Sequence, residues 1–246
     1  MIKIRHILFL VLSFILLLSC GENEEKTNWT LKDGHLVIQN DTGMSEWMCF
    51  SNTTPEEEWD SILSTIQTIT FKNSVTVIQR AAFQDCHNLT HVDMANSVHT
   101  IEEWAFDSCT SLKTVHWSKN LKIIEQEAFF GCLLKEICFP NGVQEIHSNA
   151  FQENNALKRI ILPGSTYEIT GLMRLECLEQ LVFLGNKPDK ITNTPMRRLE
   201  YYIDEHPITV YYLNKNKKYW SPNGETDWHG IPIIGIDSLK DLPPVS

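Results

Sequence analysis

A motif of about 23 residues is repeated through the middle of the chain and constrains its fold more than any other feature. The phenylalanines of four copies lie 23, 23 and 22 residues apart, at Phe83, Phe106, Phe129 and Phe151. Three residues after each phenylalanine come Cys86, Cys109, Cys132 and, in the fourth copy, Asn154. A fixed period carried by apolar positions indicates a solenoid whose coils stack on one another.

Each copy also predicts one strand and one return segment. In the second copy, Val92 and Met94 alternate with His91 and Asp93, which predicts a strand with the apolar pair facing inward. The segment from Ile78 to Cys86 then returns on the opposite side as a short helix or an irregular turn. We therefore predict a parallel β-sheet on one face of the solenoid and short helices or turns on the other.

The pattern I-x-x-x-A-F-x-x-C-x-x-L-x-x-[VI] resembles the BspA-like leucine-rich repeats of bacterial cell-surface lipoproteins. The opening WTLKDGHLVIQNDTGM resembles the cap of such proteins, although Asn40 and Thr42 stand where glycines are common, and YYLNKNKKYW resembles their closing segment. This resemblance covers about residues 29–236. It implies a leucine-rich-repeat solenoid with β-rich N- and C-terminal caps and, as in characterised members, adhesion to host proteins or other cells.

Changes in composition and pattern along the chain predict six segments. They are a lipoprotein signal peptide (1–19), a lipidated cysteine with an acidic tether (20–28), an N-terminal cap (29–64), the leucine-rich-repeat solenoid (65–184), a C-terminal capping segment (185–237) and a flexible tail (238–246).

The N-terminus predicts export. Lys3 and Arg5 precede an apolar run over 7–18 that is shorter than the ~20 residues needed to span a bilayer. The run ends in LLSC, which resembles a bacterial lipobox and makes Cys20 the lipid attachment site; the alternative is an ordinary signal peptide. The acidic residues that follow resemble the signal that sends lipoproteins to the outer cell surface. We expect an outer-membrane lipoprotein exposed on the cell surface, in contact with the membrane only through its lipid anchor.

Charge and motifs exclude several function classes. The net charge of −10 speaks against nucleic-acid binding. The sequence has no CxxC pair, GxSxG motif, P-loop or GxGxxG motif, so no cofactor is predicted. The even number of cysteines after Cys20 invites disulfides. However, Cys86, Cys109 and Cys132 share one repeat position and are predicted to form a buried ladder of free thiols.

The outward-facing strand positions form two predicted ladders. The first is Thr68, His91, Thr114, Glu136, Arg159 and Gln180. The second is Thr70, Asp93, His116, Cys138, Ile161 and Val182. Rungs about 4.8 Å apart place many of these side chains within reach of one partner. The candidate partner-binding face is His91, Asp93, Thr114, His116, Glu136, Arg159, Ile161, Gln180 and Val182.

Three alternatives to protein binding remain open at this stage. His91, Asp93, His116 and Cys138 are ligand-type side chains, which makes them a weak candidate metal patch. Cys138 with His116 resembles a nucleophilic dyad, but it lacks an evident oxyanion hole. Exposed aromatic residues such as Trp104, Tyr201 and Tyr202 are candidates for glycan binding.

The sequence as a whole favours a non-catalytic binding or adhesion module for a protein on a host or neighbouring cell. A glycan-binding accessory lipoprotein is the second hypothesis, and a metal-dependent or cysteine-dependent hydrolase is the remote one. The acidic residues near Trp104, including Glu102 and Glu125, are interpreted as a solvated outer face.

Overall fold

The computed structural model describes residues 27–166, 168–169, 175, 177–186, 208–228 and 231–245. The predicted signal peptide, Cys20 and the tyrosines Tyr201 and Tyr202 lie outside the described residues. Within the described residues, no helix is both long enough and apolar enough to cross a membrane.

The N-terminal cap combines a β-hairpin with two helices. Strands β1 (Trp29–Lys32) and β2 (His35–Ile38) pair antiparallel. Helix α1 (Asp41–Thr53) and the shorter helix α2 (Glu56–Leu63) follow. Helix α1 was not predicted, and it makes this cap less β-rich than expected.

Helix α1 closes the end of the solenoid with an aromatic side chain. Asn40 caps the helix, and its side chain accepts a hydrogen bond from Gly43 N at 2.9 Å. Trp47 is fully buried and stacks on Phe83 with 5.9 Å between ring centroids. Its Nε1 donates to the carbonyl oxygen of Ala82 at 2.9 Å. Trp47 therefore covers the hydrophobic end that the first repeat would otherwise expose to water.

The main sheet confirms the predicted parallel strands, one from each repeat. Its first part continues the cap hairpin from β2 through β3 (Thr68–Phe71) and β5 (His91–Met94) to β7 (Thr114–His116). Its second part begins with β9 (Glu136–Cys138), β11 (Arg159–Leu162) and β13 (Gln180–Phe183). It then continues through β14 (Thr209–Leu213) and β16 (Ile231–Ile236), with the antiparallel β15 (Asp227–Trp228) at its edge.

The two parts are separated by a break in strand pairing between β7 and β9. At this point the turn is one residue shorter, because Leu134 follows Cys132 by two residues whereas Leu112 follows Cys109 by three. A backbone link remains, since Leu133 N donates to Leu112 O at 3.0 Å. The predicted ladders of outward residues are therefore divided into two groups.

A second, narrow parallel sheet lies on the return side of the solenoid. It consists of two-residue strands: β4 (Val77–Ile78), β6 (Thr100–Ile101), β8 (Ile123–Ile124), β10 (Glu145–Ile146) and β12 (Glu168–Ile169). Turns, not helices, follow the first four strands. Each of these turns contains two residues with positive φ, such as Ala81 at 53° and Asp85 at 62°. Left-handed residues interrupt a right-handed helix, so the chain takes the irregular turn that was the other predicted outcome.

The core consists of the repeated side chains. The rings of Phe83, Phe106, Phe129 and Phe151 stack with centroids 5.1–5.4 Å apart and interplanar angles of 18° or less. The predicted ladder of free, buried cysteines is confirmed. Cys109 Sγ donates to Phe83 O at 3.2 Å, and Cys132 Sγ donates to Phe106 O at 3.3 Å. Burial raises the pKa of both thiols, so they stay protonated and act as hydrogen-bond donors.

The C-terminal segment adds a compact aromatic cluster. A 3₁₀ helix (Asn214–Asn216) and helix α3 (Lys217–Trp220) follow β14. The Trp220 ring stacks on Tyr212 at 5.8 Å and contacts Phe183 at 4.8 Å. Trp220 therefore closes the C-terminal end of the core in the way that Trp47 closes the other end.

Residues 238–245, which were predicted as a flexible tail, include a short helix. A 3₁₀ helix (Leu239–Asp241) begins at Ser238, whose side chain accepts from Lys240 N at 3.2 Å. Ser238 N in turn donates to Asp241 Oδ2 at 2.8 Å. This reciprocal capping directs the last residues back across the outward face of the main sheet.

Candidate functional site

The outward face of the first part of the main sheet carries small polar and charged side chains. We call this surface the open half, and it consists of Thr68, Thr70, His91, Asp93, Thr114 and His116. Strand register aligns Thr68 with His91 and Thr114, and Thr70 with Asp93 and His116. Asp93, Thr114 and His116 are exposed. The predicted neighbours therefore do lie together within this part of the sheet.

Contacts within the open half are loose. The rings of His91 and His116 meet edge to face with centroids 4.7 Å apart. His116 Nδ1 lies 3.9 Å from Asp93 Oδ1, and both side chains are more than half exposed. Exposed pairs of this kind contribute at most about 1 kcal/mol to stability. The fold therefore does not require these side chains, and they remain accessible to a partner.

One residue on this face was missed by the sequence reasoning. His35, on β2, continues the same row because it is aligned with Thr68, and its ring nitrogen Nδ1 is hydrogen-bonded to the Thr68 hydroxyl. The segment that contains His35 was predicted only as an N-terminal cap. The signal that was available is the alternation of HLVI, which gives β2 the same inward and outward sides as the repeat strands.

The candidate metal patch is divided by the break in the sheet. His91, Asp93 and His116 lie before the break, whereas Cys138 lies on β9 after it. Over the part of the chain that the structure describes, no group of three or more histidine, cysteine, aspartate or glutamate side chains has a geometry that holds a metal ion. Partial burial raises the pKa of the Cys138 thiol, which lowers the fraction of reactive thiolate at neutral pH.

Beyond β9, the second part of the face is covered by the C-terminal segments of the chain, which corrects the expected exposure of three candidate residues. Ile161 is 9% exposed, Gln180 is 4% exposed and Val182 is fully buried. Ile161 and Val182 join Tyr211 and Ile236 in a second apolar cluster on this side of the sheet, against which Leu242 packs. Covering these apolar side chains with another segment removes them from water, which stabilises the folded chain.

Arg159 and Gln180 make the polar contacts beside this cluster. Arg159 Nη1 lies 3.1 Å from Glu136 Oε2, and Arg159 Nε donates to Gln180 Oε1 at 2.7 Å. The carbonyl oxygen of Pro243 accepts from Arg159 Nη2 at 2.6 Å and from Gln180 Nε2 at 3.0 Å. We call this set the tail site: Arg159, Ile161, Gln180 and Val182.

The return side of the solenoid uses its charged residues for internal contacts. Trp104 Nε1 donates to Glu127 Oε2 at 2.8 Å, and the Arg80 guanidinium lies 4.5 Å from the centroid of the Trp104 ring. Glu102 accepts a hydrogen bond from Arg80 N at 2.9 Å. The interpretation as a merely solvated face is therefore incomplete. Arg80 occupies one face of Trp104, which reduces its use as a platform for sugar stacking.

Comparison with models of protein families identifies the type of repeat. The BspA type leucine rich repeat region matches six copies over residues 60–179. Residues 60–179 are a BspA-type leucine-rich-repeat region. The family resemblance stated from the repeat motif is confirmed, and the parallel sheets described above are those of its solenoid.

Solved structures support the same fold. A leucine-rich repeat protein from Eubacterium ventriosum is similar with a TM-score of 0.52 and 24% identity, and the match covers 63% of this chain and 41% of that one. The pneumococcal vaccine antigen PcpA is similar with a TM-score of 0.55 and 14% identity, and the match covers 87% of this chain and 49% of that one. The match thus spans less than half the length of either protein, and at these identities the likeness concerns the fold alone. A comparison with curated protein sequences found no match.

Proposed function

We propose that this chain is a non-catalytic binding module that recognises a protein partner through the open half of its sheet face. The observation that supports the proposal is the contrast between the two sides of the same strands. Val92 is fully buried in the repeat core, whereas its neighbour Asp93 is exposed and contributes little to packing. The repeated residues hold the solenoid together, and the residues that differ between repeats are free to determine the ligand.

The chemistry of the open half fits recognition of a polar protein surface. Thr114 supplies a hydroxyl group, Asp93 a carboxylate and His116 an imidazole, all on neighbouring strands. Together they offer donors and acceptors but no apolar anchor, so the partner is expected to match them with hydrogen bonds and charge. A catalytic role is not proposed, because the break in the sheet separates His116 from Cys138, and partial burial raises the pKa of the Cys138 thiol.

The proposal includes the location of the protein. Attachment of lipid at Cys20 and the acidic residues after it would place the binding face outside the outer membrane, where a partner on a host or neighbouring cell can reach it. Protease added to intact cells should then degrade the protein. Complete protection would place it inside the outer membrane and contradict this part of the proposal.

An array comparison tests the class of partner. Purified protein is applied to an array of extracellular and host-surface proteins and to an array of polysaccharides. We expect binding to one or more proteins, because the open half offers polar groups and Trp104 is engaged in internal contacts. Binding to glycans alone, lost in a Trp104→Ala variant, would contradict the proposal and support the glycan-binding alternative.

A further inference from the structure

The chain's own C-terminal residues occupy the tail site in the manner of a bound peptide. After the 3₁₀ helix, Leu242 leaves with φ −66° and ψ 131°, which is close to the polyproline II conformation. Leu242 packs against the second apolar cluster, which contains Ile161, Val182, Tyr211 and Ile236. The next carbonyl group, that of Pro243, receives two side-chain hydrogen bonds. An apolar anchor followed by a fixed carbonyl acceptor is a typical arrangement for recognition of an extended peptide.

The receptor side of this contact consists of two polar side chains that are linked to each other on paired strands. Gln180 is 4% exposed, and its amide oxygen is already used by Arg159 Nε, so its Nε2 group is aimed at Pro243 O. The Arg159 side chain is 14% exposed and is held by Glu136 on the neighbouring strand. A buried hydrogen-bond donor that lacks an acceptor destabilises the fold. While the tail covers these donors, Pro243 O supplies the acceptor that water would otherwise provide.

The tail itself is held by few contacts. Pro243 and Pro244 are exposed, and Leu239 is 41% exposed. Leu242 is the residue that enters the apolar cluster. A segment that buries so little of its surface has a low cost of local opening. A competing peptide with the same anchor and acceptor can therefore take its place.

We propose that the tail site is a peptide-binding site for a leucine–proline segment in the polyproline II conformation, and that residues 242–245 occupy it in cis until a partner displaces them. Proline favours this conformation before binding and supplies a carbonyl acceptor without a backbone donor, which matches a site that presents donors. That the segment comes from a partner protein rests on the function proposed above. That residues 242–245 occupy the site of their own chain does not rest on the proposed function.

The test uses the full chain and a labelled synthetic peptide with the sequence of residues 238–246. In a Leu242→Asp variant the charged side chain should leave the apolar cluster and vacate the site. Fluorescence anisotropy should then show peptide binding at least tenfold tighter than to the wild type, whose own tail competes. Leu239→Asp is the matched control, because Leu239 is in the same tail but exposed, and it should behave as the wild type.

A second pair of variants identifies the receptor residues. Adding Arg159→Ala to Leu242→Asp should abolish peptide binding, and a peptide with aspartate in place of Leu242 should not bind. If Leu242→Asp shows a lowered melting temperature, Leu242→Ser gives the same comparison with a smaller perturbation. Absence of peptide binding to a folded Leu242 variant, or equal binding to that variant and the wild type, would overturn the proposal. Failure of the array experiment would not affect this result, because the peptide assay needs no natural partner.

Discussion

Replacement of Phe106 by alanine is expected to lower the free energy of unfolding by about 4 kcal/mol. Phe106 is fully buried in the middle of the stack, with Phe83 at 5.4 Å and Phe129 at 5.1 Å between ring centroids. In a solenoid each repeat is stabilised by its neighbours, so a cavity at this position weakens two interfaces at once. Denaturant unfolding followed by circular dichroism and tryptophan fluorescence measures the effect.

Phe106→Leu is the control for this change. Leucine keeps most of the buried apolar volume but loses the ring stacking, and its cost should stay below about 1.5 kcal/mol. A Phe106→Ala loss of no more than about 1 kcal/mol would show that the stack does not hold neighbouring repeats together.

Replacement of Asn154 by alanine is expected to cost about 3 kcal/mol. Asn154 is 1% exposed and occupies the cysteine position of its repeat. Its Nδ2 donates to Phe129 O at 2.7 Å and to Phe151 O at 2.9 Å, and its Oδ1 accepts from Leu134 N at 3.3 Å. Alanine would leave these buried backbone groups without that partner. The same unfolding measurement applies.

Asn154→Cys tests whether the cysteine of the preceding repeats can replace this asparagine. In the preceding repeats a cysteine at this position donates to the phenylalanine carbonyl one coil earlier, as Cys132 does to Phe106 O. The cysteine variant should therefore lose about 1 kcal/mol, clearly less than the alanine variant. Equal losses for the two variants would mean that the thiol does not replace the amide as a donor to Phe129 O, and would contradict the equivalence of the two side chains at this position.

The repeated part of the fold could be predicted from the sequence because each repeat meets the same physical requirement. Phe83 and Phe106 lie at equal positions in successive coils and stack directly, so the period of the sequence becomes the spacing of the structure. The same logic predicted the free cysteine ladder, since the three cysteines share one inward position. Local periodicity was sufficient wherever each coil contacts only its neighbours.

The parts that were missed depend on contacts without a local pattern. Helix α1 contains Gly43 and β-branched threonines, which are weak helix formers, and it is stabilised by the Asn40 cap and by burial of Trp47. The tail contact joins Pro243 to Arg159, which is 84 residues away in sequence. A short segment rich in proline has no periodicity that would indicate such a contact, so it was interpreted as flexible.

The candidate face was predicted correctly in register but not in extent. Alternation within each strand gave the outward residues, and the pairing of Asp93 with His116 follows from it. The break between β7 and β9 coincides with a turn that is one residue shorter after Cys132, and this change leaves the repeat motif recognisable. The burial of Val182 required the C-terminal strands and Leu242, whose docking no local pattern specifies.

The central claim is that the outward residues of the open half bind the partner, while the buried repeated residues provide only the scaffold. A matched pair of variants tests this claim most directly. Asp93→Asn/His116→Gln changes a pair on the face whose Nδ1–Oδ1 distance is 3.9 Å. Asp85→Asn/His87→Gln changes a similarly exposed pair in the turn before β5, whose Nε2–Oδ1 distance is 4.0 Å. Asparagine also tolerates the positive φ of Asp85.

Affinity for the protein partner found on the array is then measured by surface plasmon resonance for the wild type and both variants, after their melting temperatures have been shown to agree. The account predicts at least tenfold weaker binding for Asp93→Asn/His116→Gln and less than a twofold change for Asp85→Asn/His87→Gln. Unchanged binding by the first variant, or an equal loss in both, would contradict it.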